Sequence, residues 1–186
     1  MTRMLALARG LNVGGKNTVA MAAWRISLEA LGFTDVETYI NSGNVLFTST
    51  DSVATVKKRI DADLAENFDV HDENVKVLVL TRDQLERVIE NRPKGFGDEP
   101  DKYHSDAIFL LGVSSEAAMA VFNPREGVDA VWPGDGVIYS RRLSAERSKS
   151  RLSAIMSSPL YKSMTIRSWS TTMKLWDRMK DGPTAS

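Results

Sequence analysis

Met4-Leu5-Ala6-Leu7-Ala8-Arg9-Gly10-Leu11-Asn12-Val13-Gly14-Gly15-Lys16-Asn17 decides how this chain is read. The first five residues are an unbroken apolar run, which predicts a buried strand. Gly10, Gly14 and Gly15 follow within six residues, and such a loop can adopt positive φ and let a ligand approach its backbone. Met21, Trp24, Leu28 and Leu31 then recur at helical spacing, with Gly32 as the stop. Gly10 to Lys16 has the spacing of a phosphate loop. Asn17, however, stands where Ser or Thr would hold magnesium, and the helix starts too late to cap a phosphate. What remains is a looser anion site, made of backbone amides flanked by Arg9 and Lys16.

Beyond the helix, residues 36–40 read as a strand, Asn41-Ser42-Gly43-Asn44 as a turn, and residues 45–48 as the returning strand. Val53, Val56, Ile60, Leu64 and Phe68 form a helical stripe over 52–68, and 75–80 is a strong strand. Thr81-Arg82-Asp83-Gln84 is a capping box that opens a helix ending near Arg92. Residues 93–103, rich in Pro, Gly and charge, read as a linker. The order then repeats. Strands are expected over 105–111, 128–132, 137–140 and 164–167. Helices are expected over 114–122 and 152–161, the latter broken near Pro159, and a last helix follows, capped by Ser170.

The expected fold is α+β: a tandem of two ferredoxin-like βαββαβ units, each with an antiparallel-rich sheet and an additional helix. The first occupies 1–92 with its following helix, and the second 104–186 with the C-terminal helix. In such a unit the first loop and the hairpin lie at one end of the sheet. Arg9, Asn12, Gly14, Gly15 and Lys16 would then cradle an anion, with Asn41, Ser42 and Asn44 beside them. At the opposite end of the second sheet, Arg147, Lys149, Arg167, Thr171, Thr172 and Lys174 form a second candidate anion site around a helix start.

Charge is uneven although the whole is neutral. Residues 141–180 hold ten Lys or Arg against Glu146 and Asp177, a net +8, so the remainder carries −8. That asymmetry suggests an anionic partner, or a basic surface facing an acidic half of the same molecule. Nucleic acid is therefore the alternative partner, with Tyr39, Phe47, Phe109, Trp132 and Tyr139 as strand aromatics that could stack bases. With no cysteine, thiolate chemistry and disulfides are excluded. His71 and His104, in different units, form no metal set, so neither metal nor cofactor is expected. No catalytic base can be named. Asp98, Glu99 and Asp101 read as solvated, and Met119, Met156, Met173 and Met179 as core filler. No apolar run approaches the roughly 20 residues of a membrane helix. A cytoplasmic module is the default expectation; oligomeric state is open.

Three stretches carry a family resemblance. Residues 9–17 resemble Arg-Gly-x-Asn-Val-Gly-Gly-Lys-Asn, 38–45 resemble Thr-Tyr-Ile-x-Ser-Gly-Asn-Val, and 165–175 are similar to Thr-x-Arg-Asn-Trp-Asn-Thr-x-x-Lys-Leu. These are the motifs of the bacterial domain-of-unknown-function family 1697. Ala20 departs from a usual helix-starting proline, and Ser168 and Ser170 from usual asparagines. The resemblance implies tandem related α+β units and marks the loops, without supplying a reaction.

Overall fold

The structure is a computed structural model that describes residues 1–68, 70, 73 and 75–181. His71 lies outside the described residues. The elements run β1 Thr2–Arg9, α1 Met21–Ala30, β2 Thr34–Tyr39, β3 Asn44–Ser49, α2 Val53–Asn67, β4 Lys76–Thr81, α3 Arg82–Glu90, β5 Tyr103–Leu110, α4 Ser115–Met119, β6 Asp129–Gly134, β7 Val137–Leu143, β8 Met164–Ser168 and α5 Trp169–Lys180. They make two four-stranded antiparallel sheets, ordered β2-β3-β1-β4 and β6-β7-β5-β8. The chain divides into two compact units, Met1–Leu85 with Leu175–Ser186, and Glu86–Lys174. The bounds fall inside α3 and α5.

In the first unit β1 is central, with Leu5 opposite Leu46 of β3 and Leu80 of β4. Its apolar run is buried on both faces, which is why it reads as a continuous run and not as alternating apolar and polar residues. Met4, Ala6 and Ala8 join Phe47, Trp24, Leu28, Val56 and Ile60 in one core. The helical stripes of α1 and α2 supply that core, and the Ser52 hydroxyl caps α2 through the Thr55 amide at 3.2 Å. The capping box forms as read: the Thr81 amide donates to Gln84 Oε1 at 2.8 Å, and the Gln84 amide to Thr81 Oγ1 at 3.3 Å.

In the second unit β5 is central, and Ile108, Leu110, Ile138, Ala118 and Ile155 form a core on one sheet face. Three expectations change here. Residues 152–161 form two 3₁₀ segments, Leu152–Ser157 and Pro159–Ser163, with Ser158 extended between them. Pro159 removes an amide donor and pushes the residue before it out of the α region. α5 starts two residues early and takes Ser168, not Ser170, as its cap; the Thr171 amide donates to Ser168 Oγ at 3.2 Å. Met156 is 60% exposed and fills no core. Residues 93–102 carry Phe96, which is fully buried edge-on against Tyr139 at 5.3 Å and Trp169 at 5.0 Å.

Candidate functional site

The first unit brings the glycine loop and the hairpin tip together. Asn12 Nδ2 donates to the Val19 carbonyl at 3.0 Å and to the Asn41 carbonyl at 3.2 Å, while the Val19 amide donates to Asn12 Oδ1 at 2.8 Å. The Ala8 amide donates to the Gly43 carbonyl at 2.8 Å. Buried Asn44 donates through Nδ2 to the Tyr39 carbonyl and to Ser42 Oγ, at 3.0 and 2.9 Å. Asn12, Asn41, Ser42 and Asn44 thus build the rim with their polar groups.

Gly14 and Gly15 have φ of 60° and 74° between the bridged pair Val13 and Lys16, the signature of a type I′ turn. The Lys16 amide closes that turn on the Val13 carbonyl at 3.1 Å, and the Asn12 amide is spent on the Asn17 carbonyl at 3.1 Å. A Cβ at either Gly14 or Gly15 would meet nothing within 4 Å. The tip is an open projection. Arg9, at the end of β1 opposite Lys76, is half-buried, and Lys16 is exposed.

The residues of the second expected cluster take different roles. The register sets Leu143, ending β7, opposite Tyr103, and Ser168, ending β8, opposite Asp106, so both ends reach the start of β5. Arg167 is buried, with Nη1 donating to Thr165 Oγ1 at 3.0 Å and to the Ile166 carbonyl at 2.9 Å; burial pulls its pKa down to about 10. Thr172, fully buried, donates to the Ser168 carbonyl, and Thr171 Oγ1 accepts from Ser168 Oγ. Lys174 is exposed, and Lys149 pairs with Glu146 at 2.6 Å. Arg147 instead lines a hollow of about 230 Å³ with Arg142, Ser150 and Ser153.

A larger cleft, about 450 Å³, opens wholly within the second unit beside the start of α5. Arg92, Asp98, His104, Ser105, Trp169 and Ser170 are among its lining residues. Ser105 is buried, and its hydroxyl has no hydrogen-bond partner among the described residues. Ser105 shares a strand face with Tyr103 and Ala107, and Ala107 is the register partner of Tyr139, the ring that packs with Trp169. His104 Nε2 lies 3.0 Å from Asp106 Oδ1. Burial holds the Asp106 carboxyl above its usual range, against the opposing pull of His104 and Arg142. Arg92 donates through Nη1 to the Ile89 carbonyl at the end of α3. Sequence reasoning misses this cleft because 93–103 reads as a linker. The one signal there was Phe96, an aromatic residue amid Pro, Gly and charge.

Residues 1–139 match the family model described as "Protein of unknown function (DUF1697)". The chain belongs to the DUF1697 family. In this DUF1697 chain the match spans the whole rim of the first unit and ends inside β7, before Arg142 and Arg147. The chain is also similar to a solved structure, described as that of conserved bacterial protein SP0830 from Streptococcus pneumoniae. Identity is 30%, the TM-score is 0.82, and the likeness covers 96% of this chain and 98% of that one. No curated protein matches. Among the described residues no helix is long and apolar enough to cross a membrane, and no cluster of three or more His, Asp or Glu could hold a metal.

Proposed function

We propose that this DUF1697 protein is a cytoplasmic tandem of ferredoxin-like units that binds a small organic anion, and that the second-unit cleft receives it. One observation carries this reading: the buried Ser105 hydroxyl, without a partner, lies beside a cleft onto which the start of a 12-residue helix opens. A buried hydroxyl left unpaired costs about 1–3 kcal/mol, and a ligand group that reached it would offset that cost. The first turn of α5 attracts negative charge, and Arg92 adds a cation. Asp98 at the same cleft disfavours a polyanion, which favours a ligand with a single anionic group. The cleft's volume suits an anion carried on an organic body held against Trp169, Pro100 and Met173.

Calorimetric titration with a panel of carboxylates and phosphomonoesters tests this. Binding should weaken in Ser105→Ala and Arg92→Ala. Binding indifferent to both variants sinks the reading.

A second reading keeps the glycine rim as a contact face for an anionic partner, through Arg9 and Lys16 with Asn41 and Gly14 alongside. Ile40 favours it: a β-branched residue at φ 50° and 52% exposed is strained without gaining burial. Val13, in the loop tied to that hairpin, is 65% exposed. The +8 segment offers less to nucleic acid than its composition suggests. Arg167 is buried, Lys149 pairs with Glu146, Lys180 with Asp177, and Arg178 with Glu37. Phe47, Phe109 and Tyr139 are buried as well.

A further inference from the structure

We propose that the hollow between Arg142 and Arg147 is a binding site for the phosphoryl group of a small phosphorylated molecule. It is separate from the cleft at Ser105 and does not depend on it. The hollow, about 230 Å³, is lined by two arginines and two serines, Ser150 and Ser153, with no carboxylate among them. Two guanidinium groups and the Ser153 hydroxyl are donors that match phosphoryl oxygens, often two at a time from one arginine, while the Ser150 hydroxyl is turned to Asp129.

The chain builds this hollow locally. β7 ends in Arg141-Arg142-Leu143 and turns at once into the 3₁₀ segment Ser144–Lys149, which carries Arg147 back towards the sheet end. Ser150 is extended, and Leu152–Ser157 begins just beyond it, bringing in Ser153. Arg142 is held within the sheet, with His104 as its register partner on β5 and Asp129 on β6.

Two observations point to a missing ligand. Arg142 Nε is buried and has no hydrogen-bond partner among the described residues. Arg142 is half-buried, so an unpaired donor on it is costly, and a phosphoryl group against the guanidinium would offset part of that cost by balancing its charge. Arg147 is exposed and makes no ion pair among the described residues, although it stands one residue after Glu146.

The acids nearby are only partly engaged elsewhere: Asp129 Oδ1, like Arg142 Nε, is buried and has no hydrogen-bond partner among the described residues. Asp106 and Asp129 both feel the Arg142 charge. Asp106 Oδ1 faces His104 Nε2 at 3.0 Å. Asp129 Oδ2 accepts the amides of Arg125 at 3.0 Å and Arg151 at 2.8 Å. Burial pushes the Asp129 carboxyl up, but those amides, the Ser150 hydroxyl and Arg142 outweigh it and hold it below its usual range. Glu146 is taken by Lys149. These carboxylates balance Arg142 in part, so the hollow suits one phosphoryl group rather than a polyphosphate chain.

The test uses the full chain, titrated with inorganic phosphate and with glycerol 3-phosphate, while amide shifts over residues 142–153 are followed by NMR. Saturable binding is expected, with shifts concentrated at 147–153. Affinity should fall about tenfold or more in Arg147→Gln, a loss of at least about 1.4 kcal/mol, and fall measurably in Ser153→Ala. Both residues are exposed, so neither variant threatens the fold. Arg92→Ala, in the other cleft, should leave this binding intact. The proposal is overturned if millimolar phosphate and glycerol 3-phosphate leave the spectrum unchanged. It is equally overturned if Arg147→Gln binds like the parent, or if binding is lost in Arg92→Ala but kept in Arg147→Gln. Binding confined to a single-stranded oligonucleotide and abolished by salt would overturn it too, because the face would then be a polyanion surface.

Discussion

The Asn12 side chain donates to the Asn41 backbone carbonyl at 3.2 Å, joining two loops 29 residues apart. The same side chain grips Val19 from both sides, through its amide and its carbonyl. One asparagine therefore sets the path of the glycine loop and pins the hairpin tip beside it.

Asn12→Ala should destabilise the chain by about 1–3 kcal/mol, because the Val19 groups and the Asn41 carbonyl lose their partner. Urea denaturation gives the size of the effect. Amide exchange gives its place, since both 10–19 and 40–44 should lose protection together. Loss in one loop alone would mean that the two are not mechanically joined.

Gly43 and Gly14 separate two roles of glycine. Both have positive φ, so alanine at either costs about 1–2 kcal/mol in backbone strain. At Gly43 the added Cβ would also lie 2.8 Å from Ala8 Cβ, whereas at Gly14 it meets open space. Gly43→Ala should therefore be worse than Gly14→Ala by about 1 kcal/mol or more. Equal melting temperatures would show that β1 and the hairpin can move apart freely.

Ser168→Ala should cost about 1 kcal/mol, the usual loss when a helix N-cap is removed. Ser170→Ala should stay within about 0.5 kcal/mol, as an exposed position in the first turn. The reverse ranking, read by thermal melts, would return the cap to Ser170.

Tyr139 predicts an alkaline sensitivity. Its hydroxyl donates to the Val88 carbonyl at 2.7 Å, and burial pushes its pKa from an ordinary 10 up to about 12. The folded state thus keeps a proton that the unfolded chain surrenders first. This contribution to stability is whole below pH 10 and drains away as pH rises towards about 12. Tyr139→Phe should be less stable at neutral pH, having lost the bond, and should show a shallower fall in stability between those two values. Parallel pH profiles for the two proteins would contradict the assignment.

Much of this architecture was legible in the residues themselves. The apolar run of β1, the stripe of α2 and the Thr81–Gln84 box are all local, and each formed; the hairpin turn formed one residue earlier than read, with Ile40 in it and Asn44 already in β3. The corresponding strand order occurs in both sheets. Pro159 was read correctly as a breaker, yet the residues around it fell into 3₁₀ turns because short serine-rich stretches lack the interactions that sustain an α-helix.

The candidate sites were less legible. The glycine loop was found, but the sequence does not say that Asn12 spends its side chain holding the rim, nor that Gly14 and Gly15 stand in open space. Arg147 was singled out, whereas its companions Arg142, Ser150 and Ser153 were not.

Local patterning by itself determined which segments are strands, helices and turns, and that a strand–helix–hairpin series occurs twice. Spacing along the chain encodes such things through backbone and burial periodicity. Only the tertiary structure decided which donors remain unspent. Whether Ser105 and Arg142 find partners depends on residues far away in sequence that are brought close when the sheets form.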